Sequence, residues 1–338
     1  ELEIDGIMSF AVDPGVVTAA YVAEQMGLPF AGSYESVRIL QNKDLFRSFL
    51  REHGFNCPWS YGFASMQEVE SNRAKIQYPA IVKPTDAAGS KGVMRIDSPE
   101  ELSAAAQYAF KYSLSGHIII EEFLEKLGCS SDSDCFSIEG KLAVATFSAQ
   151  RFDSKAANPY TPSAYSWPST YTQEQEQELC AELQRLVSLL GLRTSIYNVE
   201  TRVATNGKPY IMEVSPRGGG NRLAEMVHYA TGINLIENAV RGAVGLEVAS
   251  PTDVSYKGHW AIIILHATQS GTFERVDIEP AFAANVVETD VWVKLGDEVR
   301  EFNGANNAIG TLVMRFEDSE LMQRVLEHTD EITTVCVR

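Results

Sequence analysis

Residues 197–220 of the chain are YNVETRVATNGKPYIMEVSPRGGG, the stretch that indicates the fold most clearly. Two runs of alternating apolar and polar residues flank Asn206 and Gly207, a pair that strongly favours the tight turn of a β-hairpin. That turn brings Glu200 and Glu213 side by side on neighbouring strands. Adjacent carboxylates repel each other unless a cation lies between them, and hard oxygen ligands suit Mg²⁺. The hairpin therefore predicts a magnesium site, although two glutamates on a solvated face would give the same pattern.

A second motif lies in residues 80–93, AIVKPTDAAGSKGV. Lys83 ends a predicted strand, and a loop of small residues follows at once. Small residues let backbone N–H groups close over phosphate oxygens, and the lysine adds a positive charge. The spacing differs from the G-x4-G-K-[ST] pattern of a P-loop. By itself the motif also fits an ordinary hairpin loop with an exposed lysine.

Two weaker signals complete the candidate site. Residues 117–125, HIIIEEFLE, predict a buried strand whose end could offer backbone groups to a flat adenine, although many buried strands end in acids. Lys43 lies on a predicted helix that Asn42 caps and Gly54 ends, and exposed helix lysines are common. Neither signal indicates a function without the other motifs.

Composition limits the classes of function. The 338 residues carry a net charge of −17, which argues against nonspecific binding to nucleic acid. No apolar run approaches the ~20 residues that span a bilayer, so we expect no membrane partner. The five cysteines are scattered and odd in number, as in a reduced cytoplasmic protein. The first residue is Glu1 rather than Met, and we expect the native start to lie upstream.

The predicted elements indicate a mixed α and β class. Residues 1–41 predict strand, helix, strand and short helix, a partial doubly wound unit, with Asp13 capping the first helix. Residues 155–172 are rich in Pro, Ser, Thr and Tyr and predict a long loop over a site. A boundary is predicted near residue 250, followed by mixed strands and helices. No G-x-G-x-x-G follows the first predicted strand, which disfavours a Rossmann oxidoreductase.

Taken in order, the motifs NKDLFRSFL, YPAIVKP, AGSKGV, IIIEEFL and MEVSPRGGG resemble the ATP-grasp superfamily. The chain resembles its carboxylate–amine ligase branch, including bacterial L-amino-acid ligases and D-alanine–D-alanine ligase, and the ATP-grasp domains of carbamoyl-phosphate synthetase and biotin carboxylase. The last block is similar to the family's E-x-N-P-R. The resemblance implies an α+β fold in which two subdomains grip ATP. It implies a partial N-terminal unit at 1–41, an ATP-grasp domain at 42–250 with a subdomain boundary near 117–124, and an α+β subdomain at 251–338.

The resemblance also implies a nucleotide site. The implied residues are Lys43, Lys83, Gly89, Ser90, Lys91, Gly92, Glu121, Glu122, Phe123, Leu124 and Asp132. The two lysines would contact the phosphates of ATP, and residues 89–92 would form a flexible loop that closes on them. Residues 121–124 would form the adenine hinge, partly through backbone groups. Either Asp132 or Asp134 would meet the ribose.

The remaining implied residues concern the metal and the chemistry. Glu200, Glu213 and Ser215 would hold Mg²⁺, with Mn²⁺ as a possible substitute, although Ser215 stands where the family has Asn. The implied catalytic residues are Arg217, Lys83 and Arg151, with Lys155 as an alternative to Arg151. Arg217, Gly218 and Gly219 would form the pocket for the substrate carboxylate or the acyl phosphate.

The function implied is an ADP-forming ligase that phosphorylates a carboxylate and joins the acyl phosphate to an amine, such as an amino acid or a related small molecule. The expected partners are a small carboxylate and a small amine, with a second copy of the chain in a homodimer. One alternative is activation of bicarbonate, as in carbamoyl-phosphate synthetase or a carboxylase. The other is a regulatory module that binds ATP without turnover.

Overall fold

The structure, a computed structural model, describes residues 3–87 and 91–338. Within these residues it contains nine α-helices. They are α1 (Asp13–Met26), α2 (Tyr34–Gln41), α3 (Lys43–Glu52), α4 (Met66–Ser71), α5 (Leu102–Tyr112), α6 (Gln173–Leu189), α7 (Leu223–Thr231), α8 (Leu235–Ala243) and α9 (Ser319–Leu326). None of these helices is both long and apolar enough to cross a bilayer.

The same residues form sixteen β-strands. The first eight are β1 (Ser60–Phe63), β2 (Ala80–Pro84), β3 (Met94–Ile96), β4 (Ile118–Glu122), β5 (Ser131–Ile138), β6 (Lys141–Val144), β7 (Ala149–Phe152) and β8 (Pro162–Trp167). The others are β9 (Ser195–Val203), β10 (Pro209–Ser215), β11 (His259–His266), β12 (Gly271–Ile278), β13 (Val286–Val291), β14 (Glu298–Val299), β15 (Ala308–Phe316) and β16 (Thr333–Val337).

The strands form four antiparallel sheets that confirm the mixed α and β class. Their orders are β1-β4-β2-β3, β10-β9-β5-β6, β13-β15-β11-β8-β7 and β14-β12-β16. The helix α5 packs on the first sheet through a core that includes Leu102 and Ile118. The helices α3 and α6 pack on the second sheet through Phe46, Leu183 and Val199. These two sheets carry the motifs found in the sequence.

The helix α3 forms where the sequence predicts it. The Asn42 side chain accepts hydrogen bonds from the backbone N–H groups of Asp44 and Leu45, as an N-cap residue does. Gly54 follows the helix with φ of +71°, a left-handed conformation that favours glycine. Phe46 and Leu50 are fully buried on the core side. The helix therefore has a fixed position from which Lys43 and Arg47, one turn apart, project.

The predicted hairpin is present as β9 and β10. Its turn contains Asn206 and Gly207, the latter with φ of +78°. A bulge between Ile211 and Glu213 shifts the register so that Glu213 lies directly opposite Glu200. The prediction that these two residues are side by side is therefore confirmed.

Two predictions about secondary structure are wrong. Residues 5–10 form no strand, and neither do residues 27–33, so the N-terminal unit contains helices alone among the residues described. Gly6 instead lies against the backbone of Ala243 in α8, where a Cβ atom would be only 2.0 Å from the Ala243 carbonyl oxygen. In addition, the predicted loop at 155–172 contains β8.

The strand β8 lies inside the five-stranded sheet, between β11 and β7. Its first residue is Pro162, a position in a strand that proline tolerates. Trp167 and Tyr165 pair with Trp260 and Ile262 of β11 and pack in one buried cluster. Because β11 follows residue 250 and β8 precedes it, one sheet spans the predicted domain boundary. The division at 250 thus remains a prediction.

Candidate active site

A cleft of about 380 Å³ lies where the first three sheets meet. It is lined by residues from motifs that are far apart in the sequence, among them Lys43, Lys83, Glu121, Glu200, Glu213 and Arg217. Residues 122–124 line it as well, as do Tyr160 and Pro162 from the segment predicted to cover the site. The cleft thus joins most of the residues that the sequence singled out.

Glu200 and Glu213 form a pair of acids on one wall of the cleft. The Lys43 ammonium lies 3.2 Å from Glu213 Oε2. Burial lowers the pKa of Lys43, but the charges of Glu213 and Glu200 outweigh burial and raise it overall. Burial, together with the charge of Glu213, raises the pKa of Glu200 to about 7. Glu200 is therefore a carboxylate whose ionised form needs a further positive charge.

These acids fit Mg²⁺. Among the residues described, no group of three or more His, Cys, Asp or Glu side chains is arranged to hold a metal alone. Mg²⁺ is commonly bound by one or two carboxylates together with substrate phosphates and waters, rather than by a cage of protein ligands. Two opposed glutamates, one of them with a raised pKa, match that mode of binding.

Lys83 is held by a buried ion-pair network. Its ammonium contacts the Glu121 carboxylate, whose other oxygen accepts a hydrogen bond of 2.8 Å from Arg47 Nε. Burial raises the pKa of Glu121, but Arg47 and Lys83 outweigh burial and lower it to about 2. Burial also lowers the pKa of Lys83, although the negative charge of Glu121 acts to raise it. The Glu121 side chain therefore fixes two cations, a role that the sequence did not indicate.

The predicted adenine hinge lies at the end of β4 beside the cleft. The backbone N–H groups of Glu122 and Phe123 donate to the carbonyl oxygens of Trp59 and Pro79. The Leu124 carbonyl accepts a hydrogen bond of 3.0 Å from Arg202. The hinge backbone is thus fixed on both sides, and its contact with adenine remains a prediction.

The predicted phosphate loop is described in part. Gly89 and Ser90 lie outside the described residues, and Lys91 is exposed. Gly92 has φ of +73°, and a Cβ atom there would lie 2.9 Å from Pro84 and Tyr112 side-chain atoms, so glycine is required. Before the loop, the Ala87 carbonyl accepts a hydrogen bond of 3.3 Å from Lys43.

Arg217 lies at the cleft wall in a network with Asp13. Its Nε and Nη2 atoms donate to Asp13 Oδ1 at 2.8 and 2.7 Å, and its Nη1 donates to Asn198 Oδ1 at 2.9 Å. Asp13 is the first residue of α1 rather than its N-cap, which is Val12. The predicted capping role of Asp13 is therefore wrong, because its carboxylate orients Arg217 instead.

The position of Ser215 does not support its predicted role as a metal ligand. Ser215 is fully buried and is not among the residues that line the cleft. Its hydroxyl donates to Asp13 Oδ1 at 3.0 Å and accepts from Gln41 Nε2 at 2.6 Å. The hydroxyl is used in holding α1 and α2 against β10. Asn198, directly opposite on β9, is the amide side chain that faces the cleft.

The predicted substrate glycines also need correction. Gly219 donates its backbone N–H to Asp134, at 2.9 and 3.1 Å from the two carboxylate oxygens. Gly218 lies so close to Phe10 that a Cβ atom would be 2.3 Å from its ring. Neither glycine lines the cleft, whereas Gly220 does. The first two glycines therefore permit close packing, and Asp134 holds the backbone at Gly219.

Asp132 pairs with Glu200 across β5 and β9. Its carboxylate accepts hydrogen bonds from Asn198 Nδ2 at 2.6 Å and from the Tyr165 hydroxyl at 3.3 Å. Burial, together with the charge of Asp134, raises the pKa of Asp132 to about 7. Of the two acids considered for the ribose, Asp132 lines the cleft, and Asp134 is fully buried.

The proposed role of Arg151 near the γ-phosphate is not compatible with its position. Gln150 and Phe152 of β7 line the cleft, so the alternation of a strand turns Arg151 to the opposite side. There its guanidinium donates to the Ala149 carbonyl, the Ser166 hydroxyl and Gln323 of α9. The alternative, Lys155, is exposed and paired with Asp330.

Sequence reasoning missed several polar residues of the cleft, namely Asp13, Gln150, Tyr165, Asn198 and Asn221. One signal was present, because Asn198 precedes Glu200 by two residues and therefore shares its face of β9. For the others no local pattern exists. They reach the cleft from four separate segments.

The chain is similar to a known domain family and to several known proteins. Residues 76–225 match the family model of the ATP-grasp domain. Human carnosine synthase 1 is 26% identical over 279 residues, which cover 76% of this chain and 33% of the relative. The chain thus spans about a third of the length of that relative.

Solved structures agree with this match. The L-amino acid ligase from Bacillus licheniformis superposes with a TM-score of 0.84 at 23% identity, over 99% of this chain and 82% of that one. A second structure is the biotin carboxylase domain of Hydrogenobacter thermophilus 2-oxoglutarate carboxylase, which was solved with MgADP and bicarbonate. It superposes with a TM-score of 0.72 at 17% identity, over 95% of this chain and 72% of that one. Residues 76–225 therefore match the ATP-grasp domain family, and the chain as a whole has the ATP-grasp fold.

Proposed function

We propose that this protein is an ADP-forming ligase that uses Mg-ATP to phosphorylate a small carboxylate and joins the resulting acyl phosphate to an amine. The observation that carries the proposal is the convergence in one cleft of Lys43, Lys83, the pair Glu200 and Glu213, and Arg217. Transfer of a phosphoryl group needs little covalent chemistry from the protein and depends on positioning and on compensation of negative charge. This cleft offers both.

Each charged group has a proposed role. Lys83, fixed by Glu121, and Lys43, fixed by Glu213, would bind the phosphates of ATP. Mg²⁺ held by Glu200 and Glu213 would supply further positive charge to those phosphates. Arg217, oriented by Asp13, would neutralise the carboxylate as it becomes an acyl phosphate.

Trapping with hydroxylamine tests the reaction class. Purified protein, Mg-ATP and a panel of carboxylates that includes amino acids and bicarbonate are incubated with hydroxylamine. We expect one carboxylate class to yield a hydroxamate with one ADP per molecule trapped. Arg217→Lys should lower this yield by about a hundredfold, the effect of losing a fixed donor at a developing charge. The KM for ATP should change by less than about threefold.

The control is Arg275→Lys, which changes an exposed arginine paired with Asp277 outside the cleft. It should leave hydroxamate formation unchanged. Formation of AMP and pyrophosphate would show adenylation and contradict the proposed reaction. Stimulation by bicarbonate alone would favour a carboxylase type of activity. ATP cleavage that no carboxylate stimulates would favour a regulatory module.

We also propose three finer properties. Mn²⁺ should replace Mg²⁺, because carboxylate ligands suit both ions. The protein should reside in the cytoplasm, since its five cysteines are free thiols in the structure. A homodimer is supported only by the likeness to a biotin carboxylase domain solved as a dimer.

A further inference from the structure

Asp132 is a nearly buried acid that faces the cleft without an ion-pair partner, although the charge of Arg217 lowers its pKa from a distance. Only 9% of the residue is exposed. Its carboxylate accepts hydrogen bonds from Asn198, Tyr165 and, at 3.5 Å, from Gln150 Nε2, all of them neutral donors. Within residues 3–87 and 91–338, no Lys, Arg or His forms an ion pair with it. A buried carboxylate without a cation is costly, so this site favours a positively charged ligand.

The position of Asp132 along the sheet separates it from the predicted adenine hinge and places it toward the Arg217 end of the cleft. On β9, Arg202, Glu200 and Asn198 alternate along one face, from the hinge end of the cleft to the Arg217 end. Asp132 lies opposite Glu200, beyond the level at which Arg202 bonds the hinge carbonyl of Leu124.

Asp132 is also joined to Arg217 through one side chain. Asn198 donates from Nδ2 to Asp132 at 2.6 Å, and its Oδ1 accepts from Arg217 Nη1 at 2.9 Å. The two ends of a single amide group therefore connect a carboxylate to a guanidinium. An anion bound at Arg217 and a cation bound at Asp132 would be neighbours.

We propose that Asp132 binds the ammonium group of the amine substrate, with Tyr165 and Asn198 orienting its carboxylate. This inference rests on the proposed ligase function and assigns the amine as a protonated primary amine, such as the α-amino group of an amino acid. A ribose diol would bring hydrogen bonds but no charge.

A partition experiment tests this assignment. Enzyme, Mg-ATP and a mixture of the standard L-amino acids with simple primary amines are incubated with hydroxylamine. The acyl phosphate then divides between hydroxylamine, which is uncharged at neutral pH, and the bound amine, whose ammonium passes one proton to the Asp132 carboxylate before its nitrogen attacks the acyl carbon and phosphate leaves. The ratio of amide to hydroxamate reports amine binding and is independent of earlier steps.

Asp132→Asn should lower the ratio of amide to hydroxamate by about tenfold or more, as expected for loss of a charged hydrogen-bond partner. The total of both products should change by less than about threefold. Tyr165→Phe should shift the ratio in the same direction. Glu176→Gln is the matched control, since it removes a half-buried carboxylate on α6 that does not line the cleft and should leave the ratio unchanged.

The outcomes separate the inference from the function on which it rests. An unchanged ratio of amide to hydroxamate in Asp132→Asn would overturn the inference. If the total product fell while that ratio stayed unchanged, Asp132 would be assigned to binding ATP or the metal. Hydroxamate without any amide from the native protein would also overturn it. If the native protein forms neither product, the ligase function itself fails, and the role of Asp132 falls with it.

Discussion

At the scale of single residues, Glu121 shows how one buried acid arranges the cleft. It is completely buried between Arg47 on α3 and Lys83 on β2, and these two cations hold its pKa near 2. A buried ion pair of this kind contributes little more to folding stability than an apolar pair of the same size would. Removing one partner, however, leaves an uncompensated buried charge and lowers stability strongly. Glu121 therefore matters for stability and for the position of Lys83.

We predict that Glu121→Gln lowers the free energy of unfolding at pH 7 by about 3–5 kcal/mol. Because the pKa is lower in the folded protein than its ordinary value of 4.5, the stabilisation is present above about pH 4.5 and is lost as the pH falls toward 2. Urea unfolding across this range should show the difference between native protein and variant shrinking. A difference that stays constant with pH would contradict this account. Glu125→Gln, which removes an exposed partner of Arg95, should change stability by less than about 1 kcal/mol.

At the scale of elements, α3 links two parts of the cleft. Lys43 and Arg47 lie one helical turn apart, so one side of the helix contacts Glu213 of β10 and Glu121 of β4. Asn42 caps this helix, and the Lys43 N–H donates to the Thr85 carbonyl after β2. The start of α3 thus sets the distance between the two sheets at the predicted phosphate site.

Asn42→Ala is predicted to lower stability by about 1 kcal/mol, the usual effect of losing an N-cap. It should also raise the KM for ATP severalfold, because fraying would displace Lys43. Ser65→Ala is the matched control, since Ser65 caps α4, which does not line the cleft. Thermal unfolding and ATP kinetics should show equal loss of stability in both variants and a change in KM in Asn42→Ala alone. An equal change in KM would contradict the role of α3.

At the scale of the whole molecule, the five-stranded sheet joins the segments before and after residue 250. The strand β8 is hydrogen-bonded to β11 on one side and β7 on the other. Trp167 and Tyr165 pack with Trp260 and Ile262 in a core that draws on both segments. Without β11, β8 would present an unpaired edge and exposed aromatic side chains.

A fragment that ends at residue 250 is therefore predicted not to fold independently. Gel filtration should show aggregation, and circular dichroism should show no cooperative thermal transition, whereas the full chain should give one. Adding the segment 251–338 as a separate peptide should restore solubility in part, since it supplies β11. A monomeric fragment with a cooperative transition would support the domain boundary expected from the sequence.

Much of the fold and part of the site follow from sequence alone. The turn at Asn206 and Gly207, the cap at Asn42 and the apolar stripe of α6 depend on neighbouring residues, so their elements were predicted correctly. The pairing of Glu200 with Glu213 follows from one local hairpin, whose register the bulge adjusts. Lys83 and Lys43 were found because each lies at the start or end of such an element.

Tertiary structure alone decided the rest. Ser215 bonds Gln41 and Asp13, which are 174 and 202 residues away, and Asp13 in turn bonds Arg217. Arg151 points away from the cleft because of the register in which β7 pairs with β8. Asp132 points into the cleft because β5 pairs with β9. Local patterns determine elements, because turn chemistry and side-chain periodicity act between neighbours. The faces that elements present to one another depend on pairing between distant strands, which no local pattern contains.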